Sequence, residues 1–82
     1  MGNNNITTFS TDNFQLASFL LSESIKLISL DKTTPKRVIF IFEETEQRII
    51  LTQQFLSHKA KVEPHKFFSA QKDLKQLIYQ NK

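Results

Sequence analysis

R-V-I-F-I-F-E, Arg37 to Glu43, is the stretch whose reading decides the fold. Val38, Phe40 and Phe42 fall on one alternation and Ile39 and Ile41 on the other, so a strand here is apolar on both faces and belongs in the middle of its sheet. Upstream, Asp31-Lys32-Thr33-Thr34-Pro35-Lys36 is a polar connection with Pro35 suited to a turn. Before it, Ser24 to Leu30 has a period of two, with Ile25, Leu27 and Ser29 pointing one way and Lys26, Ile28 and Leu30 the other. The two strands read as a hairpin.

Working outward, Leu16, Ala17, Leu20 and Leu21 form a helical stripe widened by Phe14 and Phe19, which predicts a first helix over about 13–22. Asp12 is the expected N-cap, with Gln15 reaching back as in a capping box. Ile6 to Phe9 is the expected first strand, behind a polar leader, Met1 to Asn5. Downstream of the central strand, Glu43, Glu44 and Glu46 place negative charge where a helix start favours it, and Thr45 is the expected cap. The second helix is predicted over about 46–57. Ile49, Ile50, Leu51, Phe55 and Leu56 cover so much of its circumference that it should be the most buried of the helices. Ala60 to Glu63 alternates like a short edge strand guarded by Lys59 and Lys61, and Pro64 suits the first turn of a third helix running to about Gln80.

The order βαββαβα predicts one small α+β domain. It fits the split βαβ, or ferredoxin-like, pattern with an extra C-terminal helix, and an irregular α+β sandwich with a two- or three-stranded sheet is the competing arrangement. The expected division is a leader and possible strand start over 1–8, the domain over 9–80 and a frayed tail over 81–82. Eighty-two residues allow a single core, and eight Phe supply its bulk.

Composition narrows the chemistry. The absence of cysteine excludes disulfides, thiolate nucleophiles and thiolate metal sites, and the single glycine, Gly2, excludes a glycine-rich phosphate loop. His58 and His65 stand apart from any third ligand and read as surface or capping residues, while the acids at 43–46 read as helix-dipole partners rather than a hydrolytic pair. The expectation is a chain that is not an enzyme and has no cofactor or metal. No basic-then-apolar leader and no run of about 18 apolar residues is present, so a cytoplasmic protein with no membrane association is expected.

Charge is unevenly distributed. Residues 1–57 carry five basic side chains against six acidic, a net of −1, whereas residues 58–82 carry six against two, a net of +4. On the third helix, Phe67, Ala70, Leu74, Leu77 and Ile78 share an arc of about 100° that should face the core. Beside it fall Phe68, Lys72, Lys75 and Tyr79. Rings stack on exposed bases and ammonium groups neutralise phosphates, so this set, with Lys59, Lys61 and Lys66 nearby, is the candidate surface for nucleic acid or for a protein partner, including a second copy of the chain. The alternative is that Phe68 and Tyr79 widen the core contact while the lysine stems lie over them. Phe40 and Phe42 also stand where RNA-recognition domains carry their rings, with Lys36 and Arg37 ahead of them, but the glycines of that signature are absent and Ile39 and Ile41 point to a strand covered on both sides.

Taken together, F-S-T-D-N (Phe9 to Asn13), L-A-S-F-L-L (Leu16 to Leu21), I-K-L-I (Ile25 to Ile28), F-I-F-E-E-T-E (Phe40 to Glu46) and V-E-P-H-K-F-F-S-A (Val62 to Ala70) resemble a family of short proteins from bacteria and their mobile elements, known only as a domain of unknown function. The resemblance covers Phe9 to Tyr79 and rests on structural motifs. It implies a stand-alone accessory domain and brings no catalytic or ligand-binding residues with it.

Overall fold

The computed structural model describes residues 7–34 and 36–80. Its elements are β1 (Thr8–Thr11), α1 (Phe14–Ser22), β2 (Leu27–Asp31), β3 (Ile39–Glu43), α2 (Glu46–Leu56) and α3 (Pro64–Gln80). The sheet has the order β1-β3-β2, and β3 is antiparallel to both neighbours. The apolar stretch is therefore central, and the chain is a small α+β domain. The leader, Ile6, Pro35 and the last two residues lie outside the described residues.

One face of the sheet carries the core. Phe40 and Phe42 are buried, and across the register Phe9 and Thr11 of β1 and Leu27 and Leu30 of β2 share their face. A bulge between Leu27 and Ser29 breaks the simple alternation expected for this strand: Leu27 and Leu30 both reach the core, while Ile28 and Ser29 are exposed. An extra residue in one strand changes which side chains share a face. Ile39 and Ile41 occupy the opposite face, half-buried and outside the core cluster. The expected cover on both sides is thus corrected to a helix layer on one side.

In that layer α1 is the middle element, contacting both α2 and α3, and Leu16 to Leu20 are all buried. Its cap is Asn13, whose Oδ1 accepts the Leu16 amide at 3.0 Å. Asp12, the cap expected from sequence, instead receives Arg37 Nε at 2.8 Å, and Gln15 accepts from Gln71 Nε2 at 3.1 Å rather than closing a capping box. Both residues of the Asp-Asn pair are good caps, and the later one wins because the helix starts one residue further on.

Helix α2 is capped by Thr45 as expected, with the Arg48 amide 3.0 Å from its hydroxyl. Its predicted deep burial is not observed. Leu51 is its buried residue and Phe55 stacks on Phe19 at 6.1 Å, but Ile49, Ile50 and Leu56 are exposed. The helix sits at the rim of the layer, so α1 covers one side of it and the apolar residues on the other side stay in water.

Helices α1 and α2 end alike, without glycine. Ser24 (φ 71°) and His58 (φ 62°) take the left-handed position. Their amides bond to Leu21 and Phe55, and the next amides, of Ile25 and Lys59, reach back to Leu20 (3.0 Å) and Gln54 (2.8 Å). This is the two-bond Schellman closure. It also explains why the expected edge strand at 60–63 does not form. The Lys59 amide is used in closing α2, and Glu63 caps α3, its side chain accepting the Lys66 amide at 2.9 Å. The residues left between the two caps are too few for a ladder, so the fourth strand of the ferredoxin-like pattern, which would place β1 inside the sheet, is absent among the described residues and β1 is an edge.

Candidate nucleic-acid interface on the third helix

Helix α3 begins at Pro64, whose missing amide costs nothing in a first turn. Ala70 and Leu74 are buried, and Phe67 and Ile78 pack against the core from the same side. Leu77, expected in this stripe, lies at its rim and is partly exposed. The far end is held by Lys32, whose Nζ donates to the carbonyls of Leu77 at 2.9 Å and Ile78 at 2.7 Å. An ammonium at a helix C-terminus satisfies orphan carbonyls and complements the dipole.

With the inner stripe anchored, the neighbouring stripe faces water. Phe68 is 63% exposed and Tyr79 is 71% exposed. Together with Lys72, Lys75, Gln71 and Gln76 they line an open groove of about 490 Å³. The alternative in which the two rings join the core is therefore excluded. The Lys75 ammonium faces a different ring: its Nζ lies 5.9 Å from the centroid of Phe14 on α1. The Gln71–Gln15 hydrogen bond ties the same border of the groove to α1. Among the described residues, the ion pairs are Arg37 with Asp12 and Arg48 with Glu44, which leaves Lys72 and Lys75 without an acidic partner.

The other expected basic residues are elsewhere. Lys66 projects about 150° around the helix from the ring stripe, into a second groove of about 400 Å³ with His65, Ser69 and Asp73. Lys59 and Lys61 are exposed in the connection between α2 and α3. The structure thus brings Phe68, Lys72, Lys75 and Tyr79 together and separates Lys66 from them. Gln71 and Gln76 also line the groove and carry no chemical signal of their own in the sequence, although their positions beside the stripe follow from helical geometry.

His65, Ser69 and Asp73 are spaced four apart along α3, but no hydrogen bond joins them among the described residues, so no nucleophile-base pair is assembled there. His58 is the left-handed residue that ends α2. No group of three or more His, Cys, Asp or Glu side chains that could hold a metal occurs among the described residues. Phe40 and Phe42 are buried beneath the helices and cannot offer faces to bases as the rings of an RNA-recognition strand do. No helix among the described residues is long and apolar enough to cross a membrane.

Residues 3–80 match the family described as Domain of unknown function (DUF5659), and the chain belongs to that family. No curated protein and no solved structure matches it.

Proposed function

We propose that this DUF5659 domain is a small, non-catalytic accessory protein that associates with nucleic acid through the outer face of α3. The observation that carries the reading is the joint exposure of Phe68 and Tyr79 in one groove with Lys72 and Lys75. Large exposed rings on a chain this small are unfavourable in water unless a partner covers them. Ammonium groups between two rings select partners that combine flat apolar faces with negative charge, and nucleic acid has both. The positive balance of residues 58–82 adds long-range attraction. A cytoplasmic setting in a bacterium or its mobile elements belongs to the same reading.

The test is binding of a labelled oligonucleotide at low salt, followed by anisotropy. Affinity should fall as salt rises, and Lys72→Glu combined with Lys75→Glu should abolish it. Undetectable binding of the unaltered protein at low salt rules the reading out.

A second reading, a protein-interaction module or a homo-oligomer, is favoured by the outer side of α2. There Ile50 and Leu56 are 53% and 66% exposed, and Ile49 lies seven residues before Leu56, on the same face. A concentration-dependent mass in sedimentation that Leu56→Glu returns to monomer would select this reading.

A further inference from the structure

We infer that the α3 groove takes single-stranded nucleic acid, held by base stacking on Phe68 and Tyr79 with only two phosphate contacts, and that Lys66 has no part in it. The inference rests on the nucleic-acid reading above and specifies its ligand.

Three features of the groove lead to it. Phe68, Lys72, Lys75 and Tyr79 follow one another at intervals of four, three and four residues, so they form a single straight row. The row is about 16 Å long, at ~1.5 Å per residue over eleven residues. A ring thus stands at each end of a short track and the two lysines are rooted between them, the Lys75 ammonium resting at the Phe14 border. A ring stacks only on a base whose face is open. In a duplex those faces are occupied by the neighbouring pairs, whereas a single strand can splay its bases onto a platform.

Charge points the same way. Non-specific duplex binding draws its affinity from many neutralised phosphates. Among the described residues, this groove is lined by two cations, Lys72 and Lys75, and by no acidic residue. Among the described residues, Lys66 lies in the groove that contains Asp73, and Lys59 and Lys61 are exposed in the connection between α2 and α3. Two charges give weak duplex affinity, while stacking does not depend on charge count. The amides of Gln71 and Gln76 flank the row and offer donors and acceptors to base edges that a single strand leaves unpaired.

The salt dependence makes the inference quantitative. Two phosphate contacts to a single strand predict a slope of log K against log salt of about −1.4, and engagement of all five lysines, Lys59, Lys61, Lys66, Lys72 and Lys75, predicts about −3.5.

The experiment titrates the full chain with a fluorescent thymidine oligomer, a uridine oligomer and a duplex of equal length, by anisotropy at several salt concentrations, with sedimentation of the same samples. The expected result is tighter binding of one or both single strands than of the duplex, a slope near −1.4, and no change with Lys66→Ser. Phe68→Ala should weaken binding about 5- to 150-fold, and Phe68→Leu, which keeps the apolar bulk without the ring, should weaken it comparably. Preference for thymidine or uridine assigns DNA or RNA. Tighter duplex binding, or a slope near −3.5 that Lys66→Ser reduces, overturns the single-strand inference and leaves the broader nucleic-acid reading standing. Absence of binding to all three oligomers at low salt overturns both. A dimer that Phe68→Ala dissociates also overturns it, because the ring would then be serving a second copy.

Discussion

Lys32 Nζ lies 2.7 Å from the carbonyl oxygen of Ile78, tying the chain just beyond β2 to the last turn of α3. The contact joins the sheet to the helix end that carries Tyr79. Replacing Lys32 with Met removes the charge and keeps the stem, so the end of α3 should fray at a cost below about 1 kcal/mol. Hydrogen exchange checks this directly: amides of residues 76–80 should lose protection while those of Ala70 and Leu74 keep theirs. Unchanged protection at 76–80 would mean that the lysine is not an anchor.

Arg48 pins β1 to α2. Its guanidinium grips the Glu44 carboxylate at 2.7 and 2.6 Å and lies 3.8 Å from the centroid of the Phe9 ring. Arg48→Met should cost on the order of 1–2 kcal/mol in urea unfolding. A loss no larger than that caused by removing exposed Arg37 would contradict the assignment, since the Arg37–Asp12 pair is more than half exposed on Arg37 and half exposed on Asp12.

The same contact sets a pH dependence. Hydrogen bonding from Arg48 holds the Glu44 carboxyl below its ordinary 4.5, against the opposing effect of partial burial. A carboxyl whose pKa is lower in the folded state adds stability that is complete above its unfolded value and is lost as pH falls through the folded one. Wild type should therefore exceed Glu44→Gln in stability at pH 7, and the gap should close as pH falls below about 4.5. A gap that is constant from pH 7 to pH 3 would contradict this. Asp31 is lowered in the same direction by its hydrogen bonds from Thr33 and adds to the acid sensitivity of wild type.

Helix ends supply two more measurable changes. Asn13→Ala should cost about 1 kcal/mol through the lost cap, and Asp12→Ala much less. His58→Gly should stabilise by about 1 kcal/mol, because a left-handed position disfavours any residue with a Cβ. Thermal melts of the three variants distinguish these signs, and a destabilised His58→Gly would imply a role for the imidazole beyond ending α2.

Inner and outer faces of α3 should respond oppositely. Leu74 is fully buried, and Leu74→Ala should cost about 2–5 kcal/mol. Phe68→Ala and Tyr79→Ala should each stay within about 0.5 kcal/mol. A large stability loss for either ring would show that it packs inside the fold and leaves no recognition surface.

Much of this was legible in the sequence because it rests on local patterns. The double alternation of Arg37 to Glu43 marks a central strand wherever it sits, and Pro64 with a 3.6-residue stripe marks α3 and both of its faces. What was missed depends on contacts between distant residues. Alternation cannot reveal the bulge at Ile28, because the extra residue is defined by the partner strand. Apolar content overstates the burial of α2 because it does not say which side another helix covers. Asp12 and Asn13 are equally able caps in sequence, and only the pairing of Asp12 with Arg37 separates them. The strand expected at 60–63 was lost to the caps of two helices, one of them ended by a histidine in a position where glycine is the usual signal. In the candidate site, Lys66 belonged with the other lysines by charge and is parted from them by helical angle.

Tyr79 is the single tyrosine of a chain without tryptophan, so its emission reports on one end of the α3 row alone. The direct test of that row as a recognition surface is tyrosine fluorescence during titration with an unlabelled single-stranded oligomer at low salt. Saturable quenching that disappears in the Lys72→Glu, Lys75→Glu variant is the predicted result. Emission that stays constant while the oligomer binds elsewhere, or does not bind, would contradict it.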